Sequence, residues 1–154
     1  MTYPSPLTPM PRKPSPHNIA PPSSPGRRAP ATHAQWTRIE ARLSELALLP
    51  ANWDDHGAAA IGPQCMMTTR QLLLIRPALA EASELFPTVE GGILVEFVHN
   101  GWDLTIEVGP TGTLEIYGFQ IGGSDQLLPQ ASSSLDDLFL KQFDSLGEAK
   151  WRRS

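Results

Sequence analysis

The chain has 154 residues, 40% of them hydrophobic, with 12 basic and 16 acidic side chains and a net charge of −4. A single cysteine, Cys65, excludes an intrachain disulfide and suits a reducing compartment. No apolar run approaches the roughly 18 residues that cross a bilayer, and the N-terminus lacks the apolar core of a secretory signal, so a cytoplasmic protein without a membrane partner is expected.

Residues 1–33 hold 10 of the 16 prolines, from Pro4 to Pro30, with four basic residues (Arg12, Lys13, Arg27, Arg28) and no acidic one. Proline removes a backbone donor and clashes with the preceding helical turn, and the stretch has few apolar side chains to bury. It is expected to be a disordered, polyproline-II-like basic tail. Its charge of +4 leaves 8 basic and 16 acidic residues, −8, on residues 34–154, which are expected to form one α+β domain. So acidic a body argues against a phosphate-backbone binder, although the tail offers a weak nucleic-acid contact. Pro6 to Pro9 and Pro11 to Pro14 also have the spacing of peptide-recognition ligands.

Thr32 and Gln35 have capping-box spacing, and Trp36, Ile39, Leu43, Leu46 and Leu49 follow at steps of three and four. That spacing predicts an amphipathic helix ending before Pro50. Glycines and prolines mark 50–62 as irregular. Pro63 suits a first helical position, and apolar residues through Leu85 predict a second helix, broken or kinked at Pro77 and stopping at Pro87.

From Gly91 the period changes to two. Ile93, Val95 and Phe97 alternate with Leu94, Glu96 and Val98. Asn100-Gly101 then supplies the positive φ angles of a type I′ turn, and Leu104, Ile106 and Val108 return. A two-residue loop there pairs Phe97 with Leu104, Val95 with Ile106 and Ile93 with Val108, placing all six on one face. A turn at 109–112 leads to a third strand, Leu114 to Phe119, completing a three-stranded antiparallel meander. The other face, with Glu96, Asp103, Glu107 and Glu115, reads as polar and solvated. Residues 122–133 read as a polar loop. Ser134 is expected to cap a last helix, with Asp136 and Asp137 in its first turn and Leu135, Leu138, Phe139, Phe143 and Leu146 as its stripe.

The segment Asn52-Trp53-Asp54-Asp55-His56-Gly57-Ala58 resembles the "NWDGYGA…P" signature of a family of small bacterial and phage-borne proteins. Gly91-Gly92-Ile93-Leu94-Val95-Glu96-Phe97 and Leu104-Thr105-Ile106-Glu107-Val108 resemble that family's later strand pair. The resemblance spans roughly residues 36–118. Asp55 stands where glycine is usual and His56 where tyrosine is usual. It implies an α+β body of the kind borne by mobile elements, and it carries no activity.

Three readings of the loop compete. Asp54, Asp55 and His56 hold the groups that bind a divalent cation or move protons near neutral pH, the chemistry of a small metal-dependent hydrolase or nuclease. Consecutive loop residues point in different directions, however, and no second ligand pair stands at metal spacing. Trp53 anchoring the loop in the core, with Asn52 or Asp54 bonded to local N–H groups, is the simpler account. The third reading is contact with a partner. Glu107 and Glu115, if opposite each other, would repel and raise one pKa. The acidic face also suits docking on a basic protein. His99 reads as a strand-end histidine and Cys65 as a small buried residue. There is no GxSxG elbow at the serines 132–134, and the Gly91-Gly92 and Gly122-Gly123 pairs are not a phosphate loop.

The expectation is a non-enzymatic protein with no catalytic residue, metal or cofactor, which binds and modulates or inhibits a partner protein with a basic surface. An antitoxin, immunity protein or phage inhibitor of host defence fits that description. Trp53, Asp54, Asp55, His56, Glu96, Asp103, Glu107 and Glu115 are its candidate contacts.

Overall fold

The computed structural model describes residues 33–146; residues 1–32 of the expected basic tail, with the Thr32 cap, and residues 147–154 lie outside them, and His33, expected to end the tail, opens the first helix. Helix α1 (His33–Ala47) buries Ile39, Leu43 and Leu46, as the three-four spacing dictates. Helix α2 (Pro63–Ile75) starts on its proline, and a second proline opens the short helix α3 (Pro77–Ala82). The expected break at Pro77 is there, because its missing N–H and its ring cannot continue the ladder. The helical reading to Leu85 is corrected. After Ser83 turns extended, Glu84–Pro87 forms strand β1, with Leu85 buried.

Strands β2 (Ile93–His99) and β3 (Trp102–Val108) pair in the expected register, with Phe97 opposite Leu104, Val95 opposite Ile106 and Ile93 opposite Val108. Asn100 and Gly101 take φ 49° and 79°, the positive values a type I′ turn requires. Strand β4 (Leu114–Gln120) follows, and then a second correction. The expected polar loop contains β5 (Gln126–Ser132), so the antiparallel sheet has five strands in the order β1-β2-β3-β4-β5 and is more than a three-stranded meander.

Both additional strands are edges. β5 holds one buried side chain, Leu127, and a bulge gives it one extra residue opposite Tyr117, between the pairs Gly118–Leu127 and Ile116–Gln130. Pro129 sits inside that bulge, where a residue without an N–H is tolerated. β1 is only four residues long and ends in Pro87. Arg42 Nε donates to Leu85 O at 3.0 Å, and Arg38 donates to Ala80 O and Ser83 O at 3.1 and 3.2 Å, so α1 covers this edge.

The last helix, α4 (Asp137–Ser145), is capped by Asp136, whose Oδ1 accepts from Phe139 N at 2.9 Å; Ser134 is not the cap. Phe139 and Leu146 are buried and Phe143 half-buried, but Leu138 is exposed, contrary to the expected stripe.

The four described helices lie on one face. Ile39, Leu43 and Leu46 of α1, Leu72 and Leu73 of α2, Leu79 of α3 and Phe139 of α4 join one core with the inward residues of β1 to β5. Among the described residues no helix covers the opposite face. None is long and apolar enough to cross a membrane.

Candidate functional site

The loop that carries Trp53 to His56 is held by its own polar groups. Asn52, Asp55 and Gly57 all take positive φ, at 63°, 60° and 92°. Asn52 N donates to Ala58 O at 2.7 Å, and Gly57 N donates to Asn52 Oδ1 at 2.7 Å, closing the turn from both ends. Asp54 Oδ1 accepts from His56 N and Ala58 N, each at 2.9 Å. The Ala58 and His56 amides hold its carboxyl below the usual carboxylate range, since they favour the charged form. His56 Nδ1 lies 2.6 Å from Asp54 O, a contact that needs the proton on Nδ1.

Trp53 is half-buried, and its Nε1 donates to Ala59 O at 3.2 Å. It therefore braces the loop rather than filling the core, correcting the expected anchor. Asp55 and His56 are the exposed members, with side chains turned to solvent. Among the described residues no group of three or more His, Cys, Asp or Glu is arranged to hold a metal ion.

The second group of candidate residues lies on the uncovered face of the sheet. Glu107 sits directly opposite Glu115 across β3 and β4, as the register demands. Burial pushes the Glu107 carboxyl up from its usual range, and the charges of Glu115 and Glu90 push it further. Burial likewise raises the Tyr117 phenol, helped by Glu107, Glu96 and Glu115. These groups share one electrostatic neighbourhood at the middle of the sheet. Asp103 stands towards the hairpin end, paired with Val98 and Phe119.

The expected solvated face is thus a mixed one. Val98 is 59% exposed and Phe119 56%, and both lie beside Asp103, so aromatic and aliphatic groups alternate with acids. The loop joins this surface at one end. Ala59 N donates to Val89 O at 2.8 Å and Gly62 N to Gly91 O at 3.0 Å, fixing the loop's exit to the turn that carries Glu90. Gly91 has φ +92°, and a Cβ there would stand 2.7 Å from Ala60 O, so only glycine permits this approach.

Among the described residues the arginines are segregated from the acids of the sheet face. Between Arg76 and Lys141 the sequence has no lysine or arginine. The helix-borne Arg38, Arg42, Arg70 and Arg76 are matched with Glu84, Glu45, Glu40 and Asp144. The sheet face keeps its negative charge. The strand alternation was the sequence signal for an acidic face, and the cation-free stretch is a second one; the exposure of Val98 and Phe119 beside Asp103 came to light only in the fold.

Two features lay beyond the sequence pattern. One is a cleft of about 610 Å³ between α3, the end of β2 and α4, lined by Leu79, Phe97, Phe143 and Leu146 among others. It unites segments distant in sequence. The other is a shallower apolar groove on α2, beside Met66, Met67 and Leu74. Cys65 is fully buried, its Sγ 3.2 Å from Val108 O and its thiol pushed up to about 11 by burial, so it is held as an unreactive packing group. Comparisons with protein-family models, curated proteins and solved structures found no match.

Proposed function

We propose that this chain is a non-enzymatic binding protein of the mobile-element kind, which holds and modulates a partner protein through the uncovered face of its sheet. An antitoxin, an immunity protein or an inhibitor of host defence acts in this way. The observation that carries the reading is the combination on that face. Glu96, Glu107 and Glu115 surround Tyr117 with no cation of the described residues beside them, while Val98 and Phe119 supply exposed apolar contact. Unmatched acids steer a basic partner and suppress wrong ones, and aromatic groups provide contact area at low entropic cost. Asp55 and His56, exposed on the loop whose exit is hydrogen-bonded to the Glu90 turn, are taken as further contacts of the same partner.

A purification from the native host with tagged protein at moderate salt tests this. The wild type is expected to retain a near-stoichiometric basic protein. Glu107→Gln with Glu115→Gln is expected to release it without lowering the melting temperature. Retention of the same partner by that variant removes the sheet face from the interaction. The competing reading, a metal-dependent hydrolase at Asp54, Asp55 and His56, predicts a thermal shift with Mg²⁺, Mn²⁺ or Zn²⁺, because a ligand preferring the native state stabilises it.

A further inference from the structure

Helix α4 meets the rest of the molecule along two lines with a gap between them. On one line it is packed. Phe139 is buried in the core, and the Phe143 ring stands 5.9 Å from the Phe97 ring, tilted by 54°. On the other line it is tied by charge. Arg76 Nε and Nη2 donate to the two carboxylate oxygens of Asp144 at 2.8 and 2.6 Å. Arg76 is the residue at which α2 ends and α3 begins, so this pair joins the last turn of α4 to the break in the helical layer. Between the two lines lies the cleft of about 610 Å³, walled by Leu79 of α3, Phe97 of β2 and Phe143 of α4.

Close-packed interiors leave few voids larger than a water molecule. A helix set apart from its neighbour by such a cleft forfeits the dispersion contacts of a direct seam. Within their spans α1 buries three side chains and α2 five, where α4 buries Phe139. The latch pair is reached by water, with the Arg76 and Asp144 side chains 29% and 54% exposed. Elements with few buried contacts open before the rest of a fold. We propose that α4 is a strap that opens as a unit while the sheet stays folded, with the Arg76–Asp144 pair as its latch. Opening uncovers Phe97 and Leu79, both buried while the strap is closed, so apolar surface is offered when the latch is released. Salt screens an exposed pair, and the strap is therefore expected to loosen as ionic strength rises. The proposal is independent of the partner reading above, which concerns the other face of the sheet.

Amide hydrogen exchange of the full chain, followed by NMR, tests it. The amides of residues 141–145 in α4 are compared with those of Val95, Ile106 and Ile116 in the central strands. Corrected for intrinsic rates, the α4 amides are expected to exchange at least about tenfold faster than the strand amides, and to about the same extent along the helix. Arg76→Gln is expected to speed exchange at 141–145 by about two- to fivefold, the range an exposed ion pair supplies, and to leave the strand amides unchanged. Salt at about 1 M is expected to do the same to the wild type and little to Arg76→Gln. Phe143→Leu removes the ring contact and keeps an apolar side chain, and it is expected to speed the same amides. Equal exchange in α4 and the strands overturns the proposal, because the helix then opens only with the whole fold. Protection that declines steadily towards Ser145 is fraying and overturns opening as a unit. Acceleration of α4 and strands alike by Arg76→Gln, or of neither, removes the latch.

Discussion

Asp55 shows how a single position reports on its loop. It takes φ 60°, in the left-handed region, where a Cβ meets the following carbonyl and most L-residues are penalised by about 1–2 kcal/mol. Aspartate and asparagine bear this better than other residues, and Asn52 in the same turn takes φ 63°. The resembled signature has glycine where Asp55 stands, which is the residue this conformation suits best. Asp55→Gly is therefore expected to keep stability within about 1 kcal/mol of wild type, and Asp55→Val to lower it by about 1–2 kcal/mol. Urea denaturation of the two variants decides it, and equal losses would remove the backbone argument. Asp54 differs in kind. Its carboxylate holds the amides of His56 and Ala58, so its removal alters the loop itself. Contacts with a partner are better sought at Asp55 and His56, whose side chains face solvent.

At the scale of elements, α4 begins two residues later than the serine run suggests because Asp136 reaches the Phe139 amide. Serine and aspartate are both strong caps, so composition alone did not choose between them. Asp136→Ala is expected to cost about 1 kcal/mol and to leave Ser134→Ala nearly neutral, read by thermal melts of both. A larger loss from Ser134→Ala would return the cap to the serine. The central hairpin was fully legible. Its turn chemistry and its alternation fix one register, and a one-residue slip would turn Ile93, Val95 and Phe97 outward. The edges were not legible. β5 buries only Leu127 and carries Pro129, and β1 has four residues beside a helix-like run, so neither shows a period. Edge strands owe their pairing to a neighbour already in place, and β2 and β4 supply it here. The candidate loop residues were legible as a cluster, while the roles of Trp53 and Asp54 depended on which N–H groups the folded loop turns toward them. The α3–α4 cleft was invisible for the same reason: its walls meet only in the fold.

Over the whole molecule, charge is sorted by layer. The helices pair their arginines with carboxylates, and the sheet carries acids on its open face without a cation between Arg76 and Lys141. Such an arrangement works against stability. Glu107 faces Glu115, and burial together with that charge raises its pKa above 4.5. The sign follows from linkage. An acid whose pKa is raised on folding binds its proton more tightly in the native state, so the folded protein is penalised once the pH exceeds the native pKa. The penalty fades as the pH falls through that value and is gone below 4.5. Glu107→Gln removes the charge and keeps the shape. Its melting temperature is expected to exceed that of the wild type at pH 7 and to match it below pH 4.5. An equal gap at both values would show that packing, not repulsion, separates the two proteins. Positions that oppose the rest of a fold are where function is expected to override stability. The same substitution is accordingly expected to weaken the basic partner while it strengthens the fold, and a variant improved in both would leave the acidic row without a reason to exist.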